Sequence, residues 1–174
     1  MRKTTTLALT ATALVALGCG SGAADTGSSS GEKAGGGDTK AKVAKVGQPA
    51  RDGKFEFTVK STKCGVAKVG TDLLGAKAQG QFCLVTVNVK NIGKESQMFD
   101  GSSQKAYAAD GTEYSADGGA ALYANKNAET FLNEINPGNQ VTGVVVFDIP
   151  KKVTLIKLEL HDSPFSGGVD VALG

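Results

Sequence analysis

From Val43 onward the apolar residues recur with a period of two, the spacing of a strand that buries one face and exposes the other. In Gln81 to Lys90, Cys83, Val85, Val87 and Val89 share one face while Thr86, Asn88 and Lys90 share the opposite one. Phe55 to Val59 repeats the pattern, as do Val141, Gly143, Val145, Phe147 and Ile149, where Pro150 stops the run. Val153 to Leu160 begins another strand after two lysines, and these last two runs read as a hairpin. Val169 to Leu173 alternates as a final strand, able to cover a sheet edge or to offer one. Asp110-Gly111, between Tyr107 and Tyr114, and Asn136-Pro137-Gly138 mark turns, because glycine accepts positive φ and proline presets its own. Short strands at this spacing predict an all-β chain folded as an antiparallel β-sandwich. The exception is Gly119 to Asn127, alanine-rich and short, with room for one or two helical turns or an irregular crossover.

The residues before Val43 cannot join that core. Arg2 and Lys3 precede an apolar run, Leu7 to Leu17, that ends at Gly18 and Cys19, the layout of a secretory signal. The run is far shorter than the roughly 20 residues a membrane-spanning helix needs, so residues 1–18 are expected to be cleaved. Ala16-Leu17-Gly18-Cys19 resembles a bacterial lipobox, in which a peptidase cuts before a cysteine already carrying diacylglycerol. Gly18 and Cys19 fit that pattern, whereas Ala16 and Leu17 hold places where leucine and a small residue are usual. An unpaired cysteine in an exported protein fits lipidation at Cys19, and two or more acyl chains give stable anchoring. Residues 20–42 contain no Val, Ile, Leu, Met or aromatic residue, and their seven glycines and four serines make a flexible tether. Its r.m.s. reach is about 25 Å. The expected organisation is therefore signal 1–18, lipidated Cys19 with linker 19–42, and a sandwich domain 43–174.

Outside the cytoplasm Cys64 and Cys83, with Cys64 closing the first clear strand, are expected to form a structural disulfide. A loop of this size contributes about 3 kcal/mol by chain entropy. Thioredoxin-like redox chemistry would instead place the two thiols two residues apart at a helix start.

Charge and composition exclude several functions. The formal charge of +2 belongs to Arg2 and Lys3, so a chain cleaved after residue 18 is neutral and lacks the basic footprint of a nucleic-acid binder or of a polybasic membrane patch. With one histidine, His161, and one methionine beyond Met1, Met98, no cupredoxin-like copper site can form. Asp100, Asp110, Glu113 and Asp117 fall in one loop-rich region, the best place for calcium, but without EF-hand spacing. Neither a metal nor another cofactor is expected. Catalysis lacks a recognisable apparatus: there is no G-x-S-x-G, P-loop or H-E-x-x-H, and Asp162 points away from its neighbour His161 on a strand. Asn91 and Gly93 read as turn residues, the asparagine bonding its own backbone rather than a ligand.

Taken in order, Val89 to Gly93 (VKNIG), Asp110 to Tyr114 (DGTEY), Asn136 to Gly138 (NPG) and Phe147 to Pro150 (FDIP) resemble a large family of bacterial extracytoplasmic lipoprotein domains known as a domain of unknown function. Those domains are similar to a secreted immunoprotective antigen with an immunoglobulin-like sandwich. The resemblance spans about Val43 to Leu160 and implies an immunoglobulin-like fold at the outer face of a bacterial membrane, with no catalytic residues to carry over. The expected function is a non-catalytic binding module, anchored to the membrane through its N-terminal lipid, for a protein or cell-envelope ligand. The alternatives are a passive structural or antigen-like envelope lipoprotein and an extracytoplasmic hydrolase. An exposed apolar patch or cleft would favour the binding module, and a uniformly polar surface the passive role.

Overall fold

The computed structural model describes residues 43–127 and 130–174. The signal-like segment 1–18, Cys19 and the linker 20–42 lie outside the described residues. The strand that collects the others is β4 (Gly75–Asn91), paired with β3 (Phe55–Gly70) on one side and β9 (Gln140–Ile149) on the other. With β2 (Pro49–Asp52) added outside β3, the first sheet runs β2-β3-β4-β9. The second sheet runs β1-β11-β10-β6-β7, built from β1 (Ala44–Lys45), β6 (Lys105–Ala108), β7 (Glu113–Ser115), β10 (Leu155–Leu160) and β11 (Val169–Ala172). Pairing is antiparallel except between β1 and β11. The crossovers hold a small pair, β5 (Gln97–Met98) with β8 (Glu134–Ile135), and one helix, α1 (Gly118–Ala124).

The period-two pattern is borne out as an all-β sandwich. Cys83, Val85, Val87 and Val89 are buried against Phe55, Phe57, Val145, Phe147, Leu158, Leu160 and Val171 in one core. Phe99 enters it from a crossover, with its ring 6.0 Å from Phe55, 5.8 Å from Phe57 and 4.8 Å from Phe131. Edge-to-face rings at such separations add to the area they bury. The Asp110-Gly111 turn closes β6 on β7, and Asn139 N–H donates to Asn136 C=O across the Asn-Pro-Gly turn at 3.0 Å.

Three expectations are corrected. The runs 141–149 and 153–160 do not form a hairpin: β9 pairs with β4, whereas β10 pairs with β6 and β11 in the opposite sheet. Pro150 cannot donate to a ladder, and the chain after it crosses from one sheet to the other. Cys64 does not close a strand, because β3 continues to Gly70. It is joined to Cys83 at a bulge, where register passes from Lys63 opposite Leu84 to Val66 opposite Phe82. The outer face of the first sheet is not wholly polar either. Phe82 and Val146 are buried there under Ala120, with Val69 beside them. The unbroken run Val144 to Phe147 signals a strand with two covered faces.

Asn91 ties the ends of these strands together. It is buried, its Nδ2 donates to Glu95 C=O and Ile135 C=O, both at 2.7 Å, and its Oδ1 accepts from Gly93 N–H at 2.8 Å. Its backbone takes the Asn-Pro-Gly turn as well, donating to Asn139 C=O and accepting from Gly138 N–H. The expected Asx-type bond to Gly93 is therefore present, with two long-range bonds beyond it. Asn91→Ala should destabilise the domain by about 3 kcal/mol, since two carbonyls lose their donor at roughly 1–3 kcal/mol each. Urea unfolding measures this, and a loss below about 1 kcal/mol would contradict the role.

Candidate functional site

An apolar cleft opens where the β9 edge of the first sheet meets the crossovers. Its helical wall is α1, held at both ends. Asp117 caps the helix, its carboxylate accepting from Ala120 N–H at 2.8 Å, while its own N–H donates to Val146 C=O at 2.7 Å. At the other end the Asn125 side chain behaves as a strand neighbour of Val144, donating to its C=O at 2.9 Å and accepting from its N–H at 2.8 Å. The alanines of GGAALYA let this helix lie close to the sheet, and the caps compensate for its shortness.

The facing wall is the segment from Met98 through the short 3-10 turn Gly101–Ser103. Buried Gln104 fixes that segment: its amide Nε2 donates to Asp100 C=O at 2.8 Å and to His161 C=O at 3.1 Å, while Oε1 accepts from His161 N–H at 2.8 Å. Phe131 and Leu132 close the third side. A side chain at position 143 would overlap the Phe131 ring, so Gly143 lets that ring approach β9 closely. The enclosed space is about 340 Å³, with Phe99, Phe131, Ala116 and Val145 at its floor. Its rim is apolar and open to solvent, with Met98 58%, Leu132 55% and Leu122 43% exposed. A cavity of this size and lining is at the small end of the range that holds organic ligands or a buried side chain.

The polar groups at the cleft are occupied by local structure. Asp100 accepts from Ser102 N–H at 2.9 Å and Ser102 Oγ at 2.5 Å, and is also bonded by Ser103 Oγ. Burial works against its ionisation, but the bonds from Ser102 and Ser103 outweigh this and hold its pKa below the ordinary 3.8.

The four carboxylates of the loop-rich region are not gathered. Asp110 accepts from Thr112 N–H at 3.0 Å, and its pKa is lowered by the bonds from Thr112. Glu113 accepts from Tyr107 Oη at 2.9 Å and from Lys105 Nζ at 3.3 Å, and its pKa is lowered, chiefly by the Tyr107 bond. Asp100 and Asp117 serve their own turns, as above. Among the described residues no three His, Cys, Asp or Glu side chains are grouped to hold a metal ion.

His161 is oriented by a residue that sequence reading passed over. Its Nε2 lies 2.8 Å from Glu159 Oε1, whereas Asp162 accepts from Lys54 N–H at 2.7 Å and donates its own N–H to Asp52. Nδ1 faces Ser166 C=O at 3.3 Å and Ser166 Oγ at 3.4 Å, and that hydroxyl donates to Ser163 C=O at 3.0 Å. The ring is buried beneath Gly168 and clamps the loop leading to β11. Glu159 also meets Tyr107, whose ionisation is pushed up by burial and then by Glu113 and Glu159. None of these residues lines the cleft. Only the break in alternation at Val144 to Phe147, together with the alanine-rich insert, could have marked the cleft in the sequence.

Comparison with known proteins agrees with this architecture. A family model described as a domain of unknown function, DUF4352, matches residues 44–171. An uncharacterized protein of Bacillus subtilis strain 168, YxkC, is 30% identical over 118 residues, covering 64% of this chain. The chain matches 65% of that relative, just under two thirds of its length. The solved structure of the yjhA protein from Bacillus subtilis is 16% identical with a TM-score of 0.54, covering 76% of this chain and all of that one. MPT63, a secreted protein from Mycobacterium tuberculosis, is 18% identical with a TM-score of 0.52, covering 76% and 98%. At these identities the two structures share the fold, and the family resemblance read from the ordered motifs is borne out.

The Asp100 cap gives the wall of the cleft a defined acid response. A carboxylate whose folded pKa is depressed contributes stability above its unfolded value, and that contribution is lost as pH falls through the folded value. Asp100→Ala should cost about 1 kcal/mol at neutral pH. The deficit should begin to shrink as pH drops below about 3.8 and go on shrinking through the lower folded value, where the native carboxylate is itself protonated. Thermal melts of both proteins across that range check it, and a deficit that does not change with pH would contradict it.

Proposed function

Because the chain belongs to the family described as a domain of unknown function, DUF4352, whose description assigns no activity, we propose its role from its own geometry: a non-catalytic binding module that takes an apolar ligand or side chain into the cleft beside α1. The observation that carries this reading is the cleft itself, about 340 Å³ and apolar, with Met98, Leu122 and Leu132 exposed at its rim. A passive envelope protein would be expected to cover such a rim with polar residues. In this reading residues 1–18 are removed, Cys19 carries the lipid, and the domain works at the outer face of a bacterial membrane on a Gly/Ser tether. The secreted state of MPT63, a protein of similar fold, is in keeping with that location.

Two measurements test the two parts separately. For the site, the protein should bind the apolar dye anilinonaphthalene sulfonate saturably. Gly101→Leu, whose Cβ would stand at ordinary contact 3.6 Å from Phe131 Cδ2, should fill the cleft and weaken binding at least tenfold without lowering the melting temperature. Unchanged dye affinity in a folded Gly101→Leu protein would count against the cleft. For the anchor, Cys19→Ala should move the protein from the membrane fraction to the soluble fraction, and a variant that stays membrane-bound would require another attachment.

A further inference from the structure

The β3–β4 hairpin is longer than the sandwich needs. β2 accompanies β3 only from Phe55 to Thr58, and β9 accompanies β4 only from Gln81 to Lys90. Beyond those points the two arms run on to a tip at Thr71 to Leu74. The tip is closed tightly: Thr71 N–H donates to Leu74 C=O at 2.7 Å, and Leu74 N–H donates to Thr71 Oγ1 at 3.0 Å. Gly70 takes φ +85°, and a side chain there would overlap the backbone of Leu74 and Gly75. This turn presents two adjacent leucines to solvent, Leu73 94% and Leu74 68% exposed.

Charge is distributed unevenly around that tip. Lys68 and Lys77, both exposed, flank the tip, and Asp72, bonded to Lys68, is the only acid from residue 60 to 79; the exposed Lys60 and Lys63 lie farther back on β3, where β4 is already paired with β9. The hairpin therefore carries a surplus of three positive charges, while residues 43–174 are neutral as a whole. Overall neutrality had argued against a polybasic membrane patch; the fold concentrates what the composition averages away. Lys68 and Lys77 stand opposite each other in register, immediately behind the leucines.

We propose that the tip of the β3–β4 hairpin docks on an anionic phospholipid surface, with Leu73 and Leu74 entering the interface and Lys68 and Lys77 meeting the headgroups. Apolar area and basic charge act together in such binding, and each lysine that reaches the headgroups is worth about fivefold in affinity. The inference rests on the extracytoplasmic reading for its membrane, but its test does not use the Cys19 lipid. A failed lipid anchor and a failed hairpin are thus distinguishable.

The experiment is co-flotation of the Cys19→Ala chain with vesicles of phosphatidylglycerol and phosphatidylcholine, or of phosphatidylcholine alone. Binding should be confined to the anionic vesicles and should weaken at least tenfold when salt is raised from low to high. The pair Leu73→Ser and Leu74→Ser should reduce it at least tenfold, and Lys68→Gln with Lys77→Gln about as much. Exposed positions of this kind should leave the melting temperature unchanged, and melts of each variant verify this. Equal binding to both vesicle types, no binding to either, or binding indifferent to the leucines would overturn the proposal. So would a photo-crosslinker at position 73 that labels an envelope protein while the vesicles go unbound, which would make the hairpin a protein-docking element.

Discussion

A buried amide with every bond satisfied holds one end of this fold together. Asn91 leaves no donor or acceptor of its side chain unused, and its partners lie in three separate stretches of chain: the loop after β4, β8, and the turn before β9. A buried amide lacking such partners is costly, so the loop cannot rearrange without disturbing β8 and the turn together. Two motifs distant in sequence, Val-x-Asn-x-Gly and Asn-Pro-Gly, are thereby halves of one hydrogen-bonded knot. β9 enters the sheet from that knot, and so its register against β4 is set where the strand begins.

The same logic operates at the far side of β9, where a sheet edge would otherwise be exposed. α1 and its two caps supply side-chain and backbone partners to Val144 and Val146, so the edge is closed without another strand. Bare edges invite pairing with other chains, and a short helix with an asparagine at its end is a compact remedy. Its geometry leaves the cleft as a by-product: a helix covering the outer face cannot also fill the corner between the sheets, and Phe99, Phe131 and Met98 line what remains. The other exposed edge, along β3, is handled differently, with three lysines and a bulge at Cys64-Gly65 that interrupts its ladder.

Much of the sandwich was legible because its inner faces obey a strict period of two. Val85, Val87 and Val89 alternate because the core lies on one side of them and the polar face of Thr86, Asn88 and Lys90 on the other. The turns at Gly111 and Gly138 were legible because local stereochemistry selects them. Sheet assignment was not: the succession of β9 and β10 looks the same in sequence whether they pair or part, and only the partners of each strand decide it. The pairing of Cys64 with Cys83 followed from their number in a chain read as exported, but the bulge that accommodates it depends on β3 running past Cys64. The cleft was hidden for a similar reason. Its walls come from segments around residues 98, 121, 131 and 145, each unremarkable alone, and its one visible trace was the run of valines that broke the alternation. The Glu159 to His161 contact was not legible because His161 lies just past the end of β10, where strand alternation no longer says which way a side chain points.

The parallel pairing of β1 with β11 joins Ala44 to Val171, nearly the whole length of the described domain. Contacts so distant in sequence are the slowest to form, because the loop they close must be ordered first. The β3–β4 hairpin can assemble as soon as its two arms exist. The second sheet cannot finish until the final strand is available to receive the first. A chain emerging N-terminus first therefore exposes β1 until β11 has been made, and β11 is the strand that locks the domain shut.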